Sequence, residues 1–172
     1  MGFLLTLPTF LAIIHHNGEG KNRGFVVKVG DMAPDFEMQN KDGTTCNLTD
    51  LRGKVVMLQF TASWCNVCIE EMPYIETDIW QKYKDRDDFV LTGIAYKEDY
   101  EKIRIFAVKT KTSYPIIPDK SGECFHKYAE KNAGVARNII VDKSGKIVFL
   151  TRLFNKKQFT LMKKVIEKEL NS

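Results

Sequence analysis

Residues 54–84 read KVVMLQFTASWCNVCIEEMPYIETDIWQKYK. Lys54–Phe60 is a short, nearly continuous apolar run, the pattern of a strand covered on both faces. From Cys68 onward the apolar spacing changes. Met72, Ile75 and Ile79 fall four, seven and eleven residues later, a helix period widened by Trp80 and Tyr83. A buried strand therefore turns into an amphipathic helix, and the turn carries Trp64-Cys65-Asn66-Val67-Cys68.

Outward from this unit, Phe89–Ala95 reads as a second buried strand, and Asp99 caps a predicted helix reaching about Lys109. Tyr114-Pro115 and Ile117-Pro118 break the chain before a helix near Glu123–Lys131. Asn138–Val141 and Lys146–Thr151 flank Asp142-Lys143-Ser144-Gly145, a hairpin turn in which Gly supplies positive φ. Upstream, Asp35–Gln39 and Thr44–Leu48 flank the turn-forming Lys41-Asp42-Gly43, a second hairpin. Strands alternating with helices predict an α/β fold with a mixed sheet, made so by the late hairpin.

Residues 15–24 are polar and Gly-rich, so residues 25–172 are read as one folded domain and residues 1–24 as a signal-like or disordered segment. Phe3–Ile14 is too short for a membrane span and has the length of a signal-peptide apolar core, although no Lys or Arg precedes it. Export to the periplasm, with a tether in that segment, is the expectation; the cytoplasm is the alternative. The chain of 172 residues, 44% apolar and 28% charged, has the profile of a soluble globule with its own core. The net charge of +4 matches residues 151–172, where six bases face two acids on an amphipathic helix bearing Phe159, Met162, Val165, Ile166 and Leu170. That is the solvated face of a helix; no nucleic-acid partner is expected.

Four cysteines occur, Cys46, Cys65, Cys68 and Cys124, and only Cys65 and Cys68 are close in sequence. At the first turn of a helix, free backbone N–H groups and the positive dipole end face the Cys65 sulfur. They favour thiolate and lower its pKa below the usual value of about 8.5. Cys68 lies one turn on, on the same face, so the two sulfurs can meet. Cys65 is the expected nucleophile and Cys68 the thiol that resolves a mixed disulfide. As a staple the pair contributes only about 2 kcal/mol, because its loop is four residues long. A structural zinc site needs a second ligand pair, and the chain offers only Cys124-Phe125-His126 and an isolated Cys46. Cys46 and Cys124 read as isolated small hydrophobes that would be free to pair in an oxidising compartment.

These stretches resemble the thioredoxin fold, and within it the TlpA/ResA-like thiol–disulfide oxidoreductases. The likeness runs from about Val27 to Leu170, on VGDMAPDF, DGTTCNLTDLRGKVVMLQF, TASWCNVCIEEMP and NIIVDKSGKIV. It implies a three-layer sandwich, with a mixed sheet of four or five strands between helices and an extra N-terminal hairpin. It also implies dithiol–disulfide exchange with protein substrates, an upstream thiol reductase, and no organic cofactor or metal. Pro73 fits the family's helix kink. Glu71 matches the acidic residue the family places near the second cysteine, as general base for Cys68 or as a solvated carboxylate at the helix start. Gln59 sits where thioredoxins carry a buried Asp and cannot take up a proton. Trp64 matches a lid and contact surface, with core packing as its alternative.

The family usually carries a cis-proline six residues before the Asp of NIIVD; here that position is Ala136. A cis bond before a non-proline residue costs about 2.5–4 kcal/mol, so the Val135–Ala136 bond is predicted trans. The groove formed by Trp64, Val135 and Ala136 is expected to differ, with weaker docking of substrate backbone or sulfurs more open to a metal ion. Arg137 is expected on the surface, or as a charge that attracts acidic partners.

Two other functions are compatible with the chain. A peroxiredoxin-type peroxidase needs P-x-x-x-[ST]-x-x-C, but Leu58 and Ala62 occupy the Pro and Ser/Thr positions, with Thr61 one residue out of register. A non-catalytic metal carrier would use the same two thiols, with His15 and His16 as further ligands.

Overall fold

The structure is a computed structural model and describes residues 24–39 and 44–172. The elements are β1 (Glu37–Gln39), β2 (Thr45–Asn47), a 3₁₀ turn (Leu48–Leu51), β3 (Val55–Thr61), α1 (Asn66–Ile75), a π-helical turn (Glu76–Trp80), α2 (Gln81–Tyr83), β4 (Phe89–Tyr96), α3 (Tyr100–Thr110), β5 (Ile116–Asp119), α4 (Glu123–His126), β6 (Arg137–Val141), β7 (Ile147–Arg152) and α5 (Lys156–Leu170). The main sheet has the order β5-β4-β3-β6-β7. β3 runs parallel to β4, and β4 to β5, whereas β6 is antiparallel to both β3 and β7. All seven residues of β3 are buried, which is why its sequence does not alternate.

The crossovers through α1 and α3 advance in the same direction across the sheet. Their usual right-handedness places both helices on one face. α5 joins them there, with Phe159 6.1 Å from the Tyr74 ring and Lys163 2.6 Å from Asp78. It buries Phe159, Met162, Ile166 and Leu170, four of the five positions expected of its apolar side. On the opposite face Phe60 packs against Phe125 and Tyr128, at 5.5 and 5.4 Å between ring centroids. The Tyr128 hydroxyl donates to the Pro34 carbonyl at 2.5 Å and ties the N-terminal segment to that face. Helices, sheet, and the α4 layer with its hairpin make the expected three layers. β1 and β2 form that hairpin, with Met38 opposite Cys46; the expected turn at 41–43 lies outside the described residues.

Two elements differ from the sequence reading. Ile116–Asp119, read as a break, is strand β5, with Pro118 aligned beside Ala95. Proline lacks a donor and is tolerated at a sheet edge, and β5 is the edge. The helix expected over Glu123–Lys131 ends at His126. Beyond it Phe25 bridges to Ala129 and Val26 N–H donates to the Tyr128 carbonyl, so tertiary pairing replaces further helical turns. Gly122 precedes α4 at φ +80°, and a Cβ there would lie 2.6 Å from Tyr96. Pro73 lies within α1. Just past it the helix opens into the π turn, where the Thr77 hydroxyl donates to the Pro73 carbonyl at 3.0 Å.

Because Ile166 is wholly buried, Ile166→Ala is expected to lower stability in urea unfolding by about 2–5 kcal/mol. Val108→Ala, on the exposed side of α3, should change it by less than about 0.5 kcal/mol.

Candidate active site

The end of β3 sets the geometry. After Thr61 the chain leaves the sheet, and Cys65 caps α1 with extended backbone (φ −90°, ψ 101°). Its Sγ accepts the Cys68 N–H at 3.2 Å, one of the donors a helix start leaves free. The two sulfurs are bonded, with Cα atoms 5.2 Å apart. Cys65 keeps 9% exposure and Cys68 none, so an incoming sulfur can approach only Cys65. The loop before them is held by Glu98, buried just past β4. Its carboxylate accepts the Ser63 N–H at 3.0 Å and the Ser63 hydroxyl through a second, short hydrogen bond. Trp64 is 62% exposed beside the pair, which excludes core packing.

Behind the disulfide lies a buried polar group. Glu71, one turn past Cys68, is only 2% exposed, so it is not a solvated carboxylate. Asn138 Nδ2 donates to its Oε1 at 2.8 Å and to the Thr151 hydroxyl at 3.0 Å. Burial pushes the Glu71 carboxyl up to about 7, countered in part by Asn138 and Gln59. Gln59 lies directly across from Asn138 in the β3–β6 register. Its Oε1 accepts the Tyr114 hydroxyl at 2.6 Å, so Gln59 is a hydrogen-bonded strand residue. Gln59 Nε2 and Glu71 Oε2 have no hydrogen-bond partner among the described residues, although the amide lies near enough to favour the charged carboxylate.

The segment before β6 is also buried. Phe60 pairs with Arg137, which puts Ala136 one step further, level with Thr61. The Val135–Ala136 bond is trans, and Ala136 takes a left-handed φ of +58°, rarely adopted by a residue with a Cβ. Its carbonyl accepts the Leu153 N–H at 2.8 Å. Val135 and Ala136 are both buried, so their side chains offer no groove surface; Trp64 does. Arg137 is not on the surface, being 1% exposed. Its Nε donates to the Gly134 carbonyl at 2.9 Å and its guanidinium lies 4.3 Å from the Phe25 ring. Burial lowers its pKa to about 10. It braces the loop from below and is no lure for acidic partners.

Cys46 and Cys124 are free thiols, not joined to each other. Burial pushes both thiols up, Cys124 the further, which suppresses thiolate in each. Among the described residues no group of three His, Cys, Asp or Glu side chains is placed to hold a metal ion, and no helix is long and apolar enough to cross a membrane. His15, His16 and the apolar stretch Phe3–Ile14 lie outside the described residues.

Sequence reasoning singled out Cys65, Cys68, Glu71, Trp64 and Gln59, and missed Asn138, Tyr114, Ser63 and Glu98. A signal existed for Asn138, a polar residue opening an apolar strand run as Gln59 interrupts another. Nothing local marks Glu98 as a partner of Ser63, 35 residues away.

Comparison with known proteins adds to this geometry. The model of the family described as Redoxin matches residues 28–170. The thiol-disulfide oxidoreductase ResA of Geobacillus thermodenitrificans is 31% identical over 70% of this chain and 67% of its own length. The thioredoxin-like protein YneN of Bacillus subtilis is 36% identical over 56% of each. A solution structure from Bacteroides thetaiotaomicron, of a candidate protein disulfide isomerase, is 50% identical. It covers 87% of this chain and 94% of that one, with a TM-score of 0.83.

The raised carboxyl has a thermodynamic consequence. Glu71 has its ordinary value near 4.5 when unfolded and about 7 when folded, so between these values the folded state holds the extra proton. Stability from this group is full below about pH 4.5 and is lost as pH rises to about 7. Glu71→Gln removes the ionisation and should match the parent near pH 4.5. By pH 8 it should exceed the parent by on the order of 3 kcal/mol, measured by urea unfolding of the oxidised proteins.

Proposed function

The chain belongs to the Redoxin family, in its TlpA/ResA-like branch of thiol–disulfide oxidoreductases, and on that footing we propose that it reduces disulfides in other proteins, with Cys65 as nucleophile, Cys68 as resolving thiol and Glu71 as proton acceptor. One observation carries the assignment of roles: in the bonded pair only Cys65 keeps any exposure, and its sulfur caps the helix.

In the dithiol form the Cys65 thiolate attacks one sulfur of a substrate disulfide. The substrate S–S bond breaks, a Cys65–substrate disulfide forms, and the departing thiolate takes a proton from solvent. Glu71 then accepts the Cys68 proton, and the Cys68 thiolate attacks Cys65 Sγ. That forms the Cys65–Cys68 bond and expels the second substrate thiolate. Two electrons have moved from the pair to the substrate, and a dithiol of an upstream reductase returns them by the reverse exchange.

The reductive direction is supported by Glu71. A buried base beside the resolving thiol speeds closure of the intramolecular disulfide, the step that frees a reduced substrate. Trp64 supplies an exposed aromatic surface for the visiting polypeptide. The apolar stretch Phe3–Ile14 supports export, and N-terminal sequencing of protein recovered from its native host is expected to start beyond that stretch. An intact Met1 in protein from the soluble fraction would support the cytoplasm, and an intact Met1 in the membrane fraction an uncleaved tether.

With insulin as substrate and dithiothreitol as electron donor, Cys65→Ser is expected to lose exchange by roughly a thousandfold or more. Cys68→Ser should stall after the first step and accumulate a mixed disulfide through Cys65, visible by mass spectrometry. Full turnover by Cys65→Ser would overturn the assignment.

A further inference from the structure

Tyr114, in the loop before β5, is buried, and its hydroxyl lies 2.6 Å from Gln59 Oε1. A buried hydroxyl gives its proton to an acceptor. Burial first, and the charges of Glu71 and Glu76 after it, hold this phenol in its neutral, donating form, opposed in part by Thr112 and Gln59. The Gln59 oxygen receives that proton. An amide carries its oxygen and its NH₂ group on opposite corners, so fixing the oxygen on Tyr114 turns the NH₂ edge the other way. That edge lies on the Glu71 side, near enough to favour its carboxylate without a hydrogen bond in the disulfide form, because Gln59 and Asn138 are cross-strand neighbours and Asn138 already donates to Glu71 Oε1. Oε2 is the carboxyl oxygen that Asn138 leaves open.

We propose that Tyr114 is a positioning residue for thiol–disulfide exchange: its hydroxyl fixes the Gln59 amide, and the amide N–H edge in turn holds Glu71 in place as the proton acceptor for Cys68. The inference rests on the role given to Glu71 above. The reversed amide would set its oxygen against the carboxylate and make the charged form harder to reach.

The groups packed around Glu71 leave few rival causes of a pH effect. On its own helix the titratable neighbours are Cys68 and, in the dithiol form, the Cys65 thiol that caps it, and the loop before β5 adds Tyr114. β3 supplies Gln59, β6 Asn138 and β7 Thr151, all neutral. α3, alongside α1, turns Ile103, Phe106 and Thr110 inward. Glu76, in the π turn, is held by Ser113 and Gln81. Arg137 and Arg152 are paired across β6 and β7 one residue out of phase with Asn138 and Thr151, so strand alternation points them to the other face of the sheet.

The test compares the full chain with Tyr114→Phe, Gln59→Met, the double variant and Glu71→Gln. Two readouts serve: the carboxyl ¹³C titration of Glu71 in the reduced protein, and the pH midpoint of single-turnover reduction of oxidised glutathione. Tyr114→Phe should move both midpoints up by roughly half a pH unit to one unit. Gln59→Met should do the same, and the double variant should shift no further than Gln59→Met alone, since Tyr114 acts only through the amide. An unmoved midpoint in Tyr114→Phe, even with lower stability, would overturn the role of Tyr114 and reduce it to packing. Fully additive shifts would overturn it as well. If Glu71→Gln keeps the parent's pH profile, the proton-acceptor reading of Glu71 fails first, and this inference fails with it.

Discussion

The Cys65 sulfur closes a bond to Cys68 and also accepts the Cys68 backbone N–H at the start of α1. Both roles need the chain to leave β3 and enter the helix within four residues, with Cys65 extended and Asn66 already helical. That requirement passes to the rest of the molecule. β3 must be central and fixed in place, so it is buried throughout and flanked by strands on both sides. The loop must not wander, and buried Glu98 holds it through two hydrogen bonds to Ser63. The helix must be pinned to the sheet, and its apolar positions Met72 and Ile75 are fully buried.

Within that apolar frame the polar residues are few and placed with purpose. Tyr114 with Gln59, and Asn138 with Glu71 and Thr151, form two hydrogen-bonded groups that adjoin where Gln59 lies across from Asn138. Burying an ionisable carboxyl without a cation costs stability when it is charged. The fold accepts that cost beside the resolving cysteine, where a carboxyl that changes state near neutral pH is useful. Arg137 shows the same tolerance on the other side of the sheet, its charge eased by the Phe25 ring and the Gly134 carbonyl. It stands directly after Ala136, whose left-handed backbone replaces the expected family's proline turn. Loop shape there comes from packing and hydrogen bonds instead of a locked ring.

Periodic elements were legible in the sequence, the strands and α3 to within a residue or two and α5 as a segment begun five residues early. β3, β4, α3, β6, β7 and α5 announce themselves through apolar spacing and through caps such as Asp99, whose side chain accepts the Lys102 N–H at 3.0 Å. β5 was hidden because Pro118 within it and Pro115 just before it read locally as breakers, and its edge position makes Pro118 harmless. α4 was overextended because helical propensity continues to Lys131 while Phe25, far upstream, claims the following backbone. Arg137 was misplaced for a related reason: local sequence states charge, and burial depends on what packs above it.

What the sequence determined by itself was the strand-to-helix turn, the two cysteines it carries and the acid one turn on. Those follow from spacings shorter than a dozen residues, where 3.6 and 2.0 periods are local physics. What tertiary structure decided was which cysteine stays reachable, that the acid is buried, and which distant residues surround it. Tyr114 and Asn138 lie 55 and 79 positions from Gln59 in the chain, and only the pairing of β3 with β6 and the closing of the loop before β5 bring their hydrogen bonds to one place.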